Sequence, residues 1–139
     1  MPTTVFSAGE GLHATVPRIV ADSKGFVWLP GEEGLARFDG NGFRIFTSAD
    51  GLPAGVPADI LERADGTYWV AVQEQICLFD PRPGKQRFQC ESPKLGAIRR
   101  VLEDEQGLWC GTDTGLWRRP ANGPKRWEPV GPIEAAAPN

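Results

Sequence analysis

The sequence predicts an all-β fold built from repeated four-stranded antiparallel units, and three observations carry that prediction. Tryptophans recur at Trp28, Trp69 and Trp109, 41 and then 40 residues apart. Six residues after each of them a new strand opens, at Gly34-Leu35, Gln75-Ile76 and Gly115-Leu116. Short apolar runs alternate with Asp, Gly and Pro turns, and no segment carries helical periodicity. A period of about 40–45 residues with Gly and aromatic signals at constant offsets marks radial or solenoid repeats. A single four-stranded sheet would leave one apolar face wet. Such units therefore stack face to face, as β-propeller blades do, and the tryptophans become the large anchors between neighbours.

Taken in order, residues 1–12 read as the final strand of a preceding or partner blade. The stretch 6–12 (F-S-A-G-E-G-L) closely matches 46–52 (F-T-S-A-D-G-L), which closes the next unit. Blade 1 spans 13–52. Its first strand, 19–22, follows Pro17, which suits a strand entrance rather than a strand interior. The turn D-S-K-G at 22–25 uses an Asp that bonds its own downstream backbone, and strands follow at 27–29, 35–38 and 43–47. The last two are joined by D-G-N-G, a strong hairpin signal.

Blade 2 spans 53–95, with strands expected at 60–61, 68–72, 76–79 and 87–90. Gln75 stands where the other repeats have Gly, so a wider or differently closed turn is expected before it. Blade 3 spans 96–131, with strands at 101–102, 108–111, 116–119 and 126–128. Its first turn is one residue shorter, because Gly107 precedes Trp109 by two where Gly25 and Gly66 precede their tryptophans by three. Residues 132–139 have no periodicity and read as a tail.

Composition narrows the function classes. A hydrophobic content of 40% and a charged content of 24% are those of a folded soluble domain rather than a disordered chain. A net charge of −3 and a pI near 5.2 exclude the broad positive field that nucleic-acid binding needs. Arg99-Arg100 and Arg118-Arg119 are balanced by Glu103, Asp104, Glu105 and Asp113 and read as a solvated rim. No apolar run approaches the roughly 18 residues of a membrane span, and the first residues, M-P-T-T-V-F, lack the pattern of a secretory signal. Cys77, Cys90 and Cys110 make an odd count without metal-type spacing. Cys77 and Cys90 fall on neighbouring strands, which leaves a disulfide open, but the expectation is three small buried thiols packing as apolar residues.

Two sets of motifs carry a family resemblance. D-S-K-G-F-V-W with G-L-A-R-F-D, and E-D-E-Q-G-L-W-C-G-T with T-D-T-G-L-W-R, resemble blades of the two-component regulator propeller family. The resemblance runs from about Phe6 to Gly131. It implies a β-propeller of a bacterial sensor, in a periplasmic or other extracytoplasmic region ahead of a membrane span and an output domain. It also implies recognition of a small, often glycan-derived molecule. Streptogramin-lyase-like propellers have similar blades and keep an enzyme reading open. The chain departs from the family's W-x-G-T, since Pro30 and Ala71 replace the Gly that only Gly111 keeps. Three repeats and one strand do not close a ring, because propellers have about four blades or more. Either the remainder of a longer propeller or a homo-oligomer is then the expected partner.

Chemistry is expected on loops at one axial mouth, those entering the first strands and those joining the second and third. Arg18, Asp59 and Arg100 hold the same place in the three repeats, one residue before Ile19, Ile60 and Val101. Two cations and a carboxylate converging there suit an acidic sugar through Arg–carboxylate pairing. The blander reading, which the pattern favours, is an Arg–Asp–Arg structural network sealing blade to blade. Glu33, Gln73 and Asp113 of the second set of loops complete the candidate ligand site. Catalysis has little support. His13 is the sole histidine, there is no phosphate loop or Ser-centred nucleophile motif, and no metal or cofactor site is expected. A non-enzymatic ligand-sensing segment is the first reading, and a self-associating interaction module is the second.

Overall fold

The computed structural model describes residues 18–84 and 86–131. The expected strand within 1–12, His13, Thr15 and the 132–139 tail lie outside the described residues. Three four-stranded antiparallel sheets follow one another along the chain, and the described residues contain almost no helix. The first holds β1 (Val20–Ala21), β2 (Val27–Gly31), β3 (Gly34–Phe38) and β4 (Phe43–Phe46). The second holds β5 (Pro57–Glu62), β6 (Tyr68–Val72), β7 (Gln75–Phe79) and β8 (Phe88–Glu91). The third holds β9 (Ile98–Asp104), β10 (Gly107–Thr112), β11 (Gly115–Pro120) and β12 (Glu128–Gly131). Each sheet is a plain meander in sequence order, and the arrangement is propeller-like.

Why these segments pair as they do is local. Asp22 accepts from the backbone amides of Lys24 and Phe26, which closes the β1–β2 turn. Asp39 does the same for Asn41 and Gly42 between β3 and β4. The β2–β3, β6–β7 and β10–β11 hairpins all pair around two turn residues, Gly31↔Gly34, Val72↔Gln75 and Thr112↔Gly115. Gln75 therefore does not widen its turn. Without a Gly after the turn, the left-handed conformation moves into it, to Gln73 at φ 56°. The short first turn of the third sheet is confirmed by the pairing Gly107↔Asp104. Gly107 at φ 138° has no room for a Cβ against the Arg119 carbonyl.

Two apolar seams hold the sheets together. Trp28 lies fully buried between the first and second sheets, 5.0 Å from the Tyr68 ring and 5.7 Å from Phe79. Phe46, Ile60, Val70 and Phe88 complete that seam. Trp69 lies in the second seam with Ala71, Ile76, Ile98, Leu108 and Cys110. Within the middle sheet β6 is buried at every position, because each face is covered by a neighbour, whereas the edge strand β8 is buried only at Phe88. Trp109 differs: it sits half-buried on the outer face of the third sheet beside exposed Leu102, its partner across β9–β10.

Two expectations are corrected. Cys77 and Cys90 are direct partners across β7–β8 and form a disulfide, so only Cys110 is a buried free thiol. The pairing follows from register: the 80–87 connection brings Phe79 opposite Phe88, which puts the two cysteines face to face two residues further along each strand. The last strand begins at Glu128 rather than 126, because Arg118 pairs with Glu128 and leaves Arg126 and Trp127 in the connection.

Candidate functional site

The antiparallel meander puts the loops entering β5 and β9 at the same end as the β2–β3, β6–β7 and β10–β11 turns. At that end β5 and β9 each carry a β-bulge, between Pro57 and Asp59 and opposite Gly111/Thr112. A bulge re-aims the side chain beside it. Asp59 thereby reaches the junction of all three sheets, 1% exposed. Its Oδ1 accepts from Arg18 Nε at 2.5 Å and from the Ile60 amide at 2.9 Å. Its Oδ2 accepts from the Val101 amide at 2.9 Å. One carboxylate therefore ties residue 18 before β1 to β5 and to β9. Arg18 keeps 40% of its side chain exposed at the rim.

Arg100 is not brought to that carboxylate. It lies opposite Gly111 on the outer side of the third sheet, exposed, and donates to the Arg99 carbonyl at 2.9 Å. Asp113 is exposed and pairs with Arg99 at 3.1 Å. Glu33 and Gln73 are exposed turn residues, and the Gln73 carbonyl accepts from the Ile98 amide at 2.8 Å, fastening that turn to the third sheet. Of the six residues the sequence singles out, Arg18 and Asp59 meet. Arg100, Glu33, Gln73 and Asp113 stand separately around the same end.

The opposite end holds polar contacts that the spacing did not foretell. Asp22 Oδ2 accepts from the Trp28 indole at 2.8 Å and from the Tyr68 hydroxyl at 2.7 Å, so it joins the first two sheets. Burial acts against its charge, but the bonds from Tyr68, Trp28, Phe26 and Lys24 together outweigh it and hold its carboxyl below the usual range. Burial first, and then Asp22, push the Tyr68 phenol well above the ordinary tyrosine value. Glu62 accepts from the Ser23 amide and hydroxyl at 2.8 and 2.5 Å. Glu103 accepts from Arg63 at 3.0 Å and from the Trp69 indole at 3.2 Å. Glu62, which ends β5, and Glu103, one residue before the end of β9, thus reach back to the preceding sheet in the same way. A carboxylate at equivalent positions 62 and 103 was the available signal.

Cys110 is a thiol pushed up to about 12 by burial, which makes it inert. Among the described residues no group of His, Cys, Asp and Glu is placed to hold a metal ion, and no helix is long and apolar enough to cross a membrane.

No family model matches the chain, and no curated protein matches it. Solved structures do. The chain is similar to the extracellular domain of BT4673 from B. thetaiotaomicron, described there as a one-component system, at 19% identity and a TM-score of 0.64. The match covers 89% of this chain and 16% of that one. A second structure of the BT4673 extracellular domain, described as a hybrid two-component system, matches at 19% identity and a TM-score of 0.61 over 88% of the chain. At this identity the likeness is one of fold.

Proposed function

We propose that the chain is a ligand-sensing segment of an extracytoplasmic β-propeller sensor and carries no catalytic activity. The observation that carries the reading is the fold match over nearly the whole chain to extracellular domains of a one-component or hybrid two-component system. The Cys77–Cys90 disulfide supports it, since such bonds persist in oxidising compartments. The ligand site lies at the end where Arg100, Glu33, Gln73 and Asp113 are exposed, with Arg18 at its edge. Asp59 braces that end through Arg18 and the Val101 amide instead of meeting the ligand directly. A small glycan-derived acid is the ligand class that exposed guanidinium groups favour. Calorimetric titration of such acids against the wild-type chain and the Arg18→Ala and Arg100→Ala variants tests the assignment. Unchanged affinity in both variants for an acid that binds removes the two arginines from the site.

One observation favours a second reading, self-association. The outer face of the third sheet exposes Leu102 at 55% and Val130 at 48%, beside Leu116 and the half-buried Trp109. Such a face in a stack of sheets is covered by another sheet, either a further blade of the same protein or a second copy. Light scattering at micromolar concentration distinguishes them: a dimeric mass that reverts to monomer in Leu102→Glu supports the second copy, and a monomeric wild type rules it out.

A further inference from the structure

We propose a second binding site, at the opposite end from the mouth just described, that takes a small organic carboxylate. It is a cleft of about 380 Å³ on the seam between the first two sheets, within the usual size of a small-molecule pocket. Its basic lining comes from four separate segments. Lys24 lies in the β1–β2 turn, Arg37 on β3, Arg44 on β4, and Arg82 and Arg87 in the β7–β8 connection. Tyr68 and Pro83 supply apolar wall.

The cations are crowded in a way that packing alone does not require. Arg37 and Arg44 are direct cross-strand partners on β3 and β4, and like charges placed opposite one another destabilise a sheet. Three guanidinium groups gather around the single buried ring of Phe46, at 4.3 Å for Arg44, 5.5 Å for Arg87 and 5.6 Å for Arg37. Among the described residues the carboxylates within ion-pair distance of the five cations are fewer than the cations. Asp50 serves both Arg44 at 3.2 Å and Arg87 at 3.7 Å, Asp80 holds Arg82 at 2.8 Å, and Glu62 stands 3.9 Å from Lys24. Arg37 has no carboxylate within ion-pair distance among the described residues. It lies over Phe26 at 4.5 Å and also within reach of the Trp28 and Phe46 rings, with Asp39 and Asp22 acting on its charge only from beyond ion-pair distance. Burial, and then Arg44, also make it a weaker base than a free guanidinium.

A ligand carboxylate in the cleft gives Arg37 the ion-pair partner it lacks among the described residues. It offers two oxygens to a planar fork of donors, the geometry that arginine recognises. The apolar wall favours a carboxylate carried on a ring over a bare inorganic anion. This site shares no residue with the mouth, so either can fail without the other.

The test uses the full chain, with glucuronate as the carboxylate probe, glucose as its neutral match, and inorganic sulfate as a bare oxyanion, read by calorimetry and by the arginine Nε–H resonances. The expected result is glucuronate binding that glucose does not reproduce, with shifts in Arg37, Arg44 and Arg87. Arg37→Met, which keeps an apolar side chain over Phe26, is expected to weaken it at least tenfold. Arg44→Met at an exposed position is the second variant, expected to weaken it severalfold. Arg100→Ala at the far end leaves it unchanged. Equal binding of glucose or sulfate, absence of glucuronate binding, or wild-type affinity in both Met variants overturns the proposal.

Discussion

Replacing Asp59 by Ala is the sharpest probe of how the mouth end is held. The substitution removes an acceptor that is 1% exposed and serves Arg18 and the amides of Ile60 and Val101. Ile60 and Val101 are themselves buried, so water does not readily replace the carboxylate. An orphaned buried amide costs about 1–3 kcal/mol. The Arg18 contribution is smaller, because its side chain is 40% exposed and rehydrates; an exposed pair is worth under about 1 kcal/mol. With both amides in the lower half of that range, the sum is about 3 kcal/mol. With a urea m-value of about 2 kcal/mol/M, the unfolding midpoint falls by roughly 1.5 M at constant m. Arg18→Met, by contrast, loses less than about 1 kcal/mol. The reasoning fails if Asp59→Ala unfolds within about 0.5 M of wild type, or if Arg18→Met costs as much. A stable Asp59→Ala variant that loses ligand binding would instead make Asp59 a ligand group.

Other predictions follow from single groups. Tyr68 is the only tyrosine, so the tyrosinate difference band near 295 nm, read over the tryptophan background of an unfolded reference, reports its ionisation. Its folded pKa is raised, so its contribution is intact below the ordinary value of about 10 and is lost as pH rises through the folded value. Tyrosinate is therefore expected to appear only with alkaline unfolding, and a free titration near pH 10 would contradict the buried Asp22 bond. Asp22 has the opposite sign: its lowered pKa stabilises the fold above the unfolded value of about 3.9 and that stability is lost as pH falls through the folded one. Asp22→Asn should flatten the acid limb of a stability–pH profile. Thiol titration should find no reactive group in the native protein, one after unfolding without reductant, and three after reduction, given one disulfide and buried Cys110. Reducing the bridge, whose cysteines are 13 residues apart, should cost about 3 kcal/mol by loop entropy, checked by denaturation with and without reductant.

Much of the fold was legible because it rests on local chemistry. The Asp turns at 22 and 39, the Trp period and the short Gly107 turn are each read from a few neighbouring residues. What escaped depends on register or on contacts between sheets. The Cys77–Cys90 bond needs the alignment of β7 and β8 across an eight-residue, proline-rich connection, 80–87, whose path the residues do not specify. The Arg18–Asp59–Arg100 set was identified by equivalent position, yet equivalent positions in stacked sheets point into successive seams and not to one point. That is why Asp59 meets Arg18 and the Val101 amide, while Arg100 faces outward. Arg37 and Arg44 lie seven residues apart and become neighbours only once the β3–β4 hairpin closes.

The central claim is that the first and second sheets each bury their tryptophan face against the next sheet. The most direct measurement is a NOESY spectrum with assigned Trp28 indole protons. The account predicts cross-peaks from Trp28 to Tyr68 and Phe79, whose rings belong to the second sheet and lie 5.0 and 5.7 Å away. Cross-peaks confined to residues of its own sheet, such as Phe46, would contradict it.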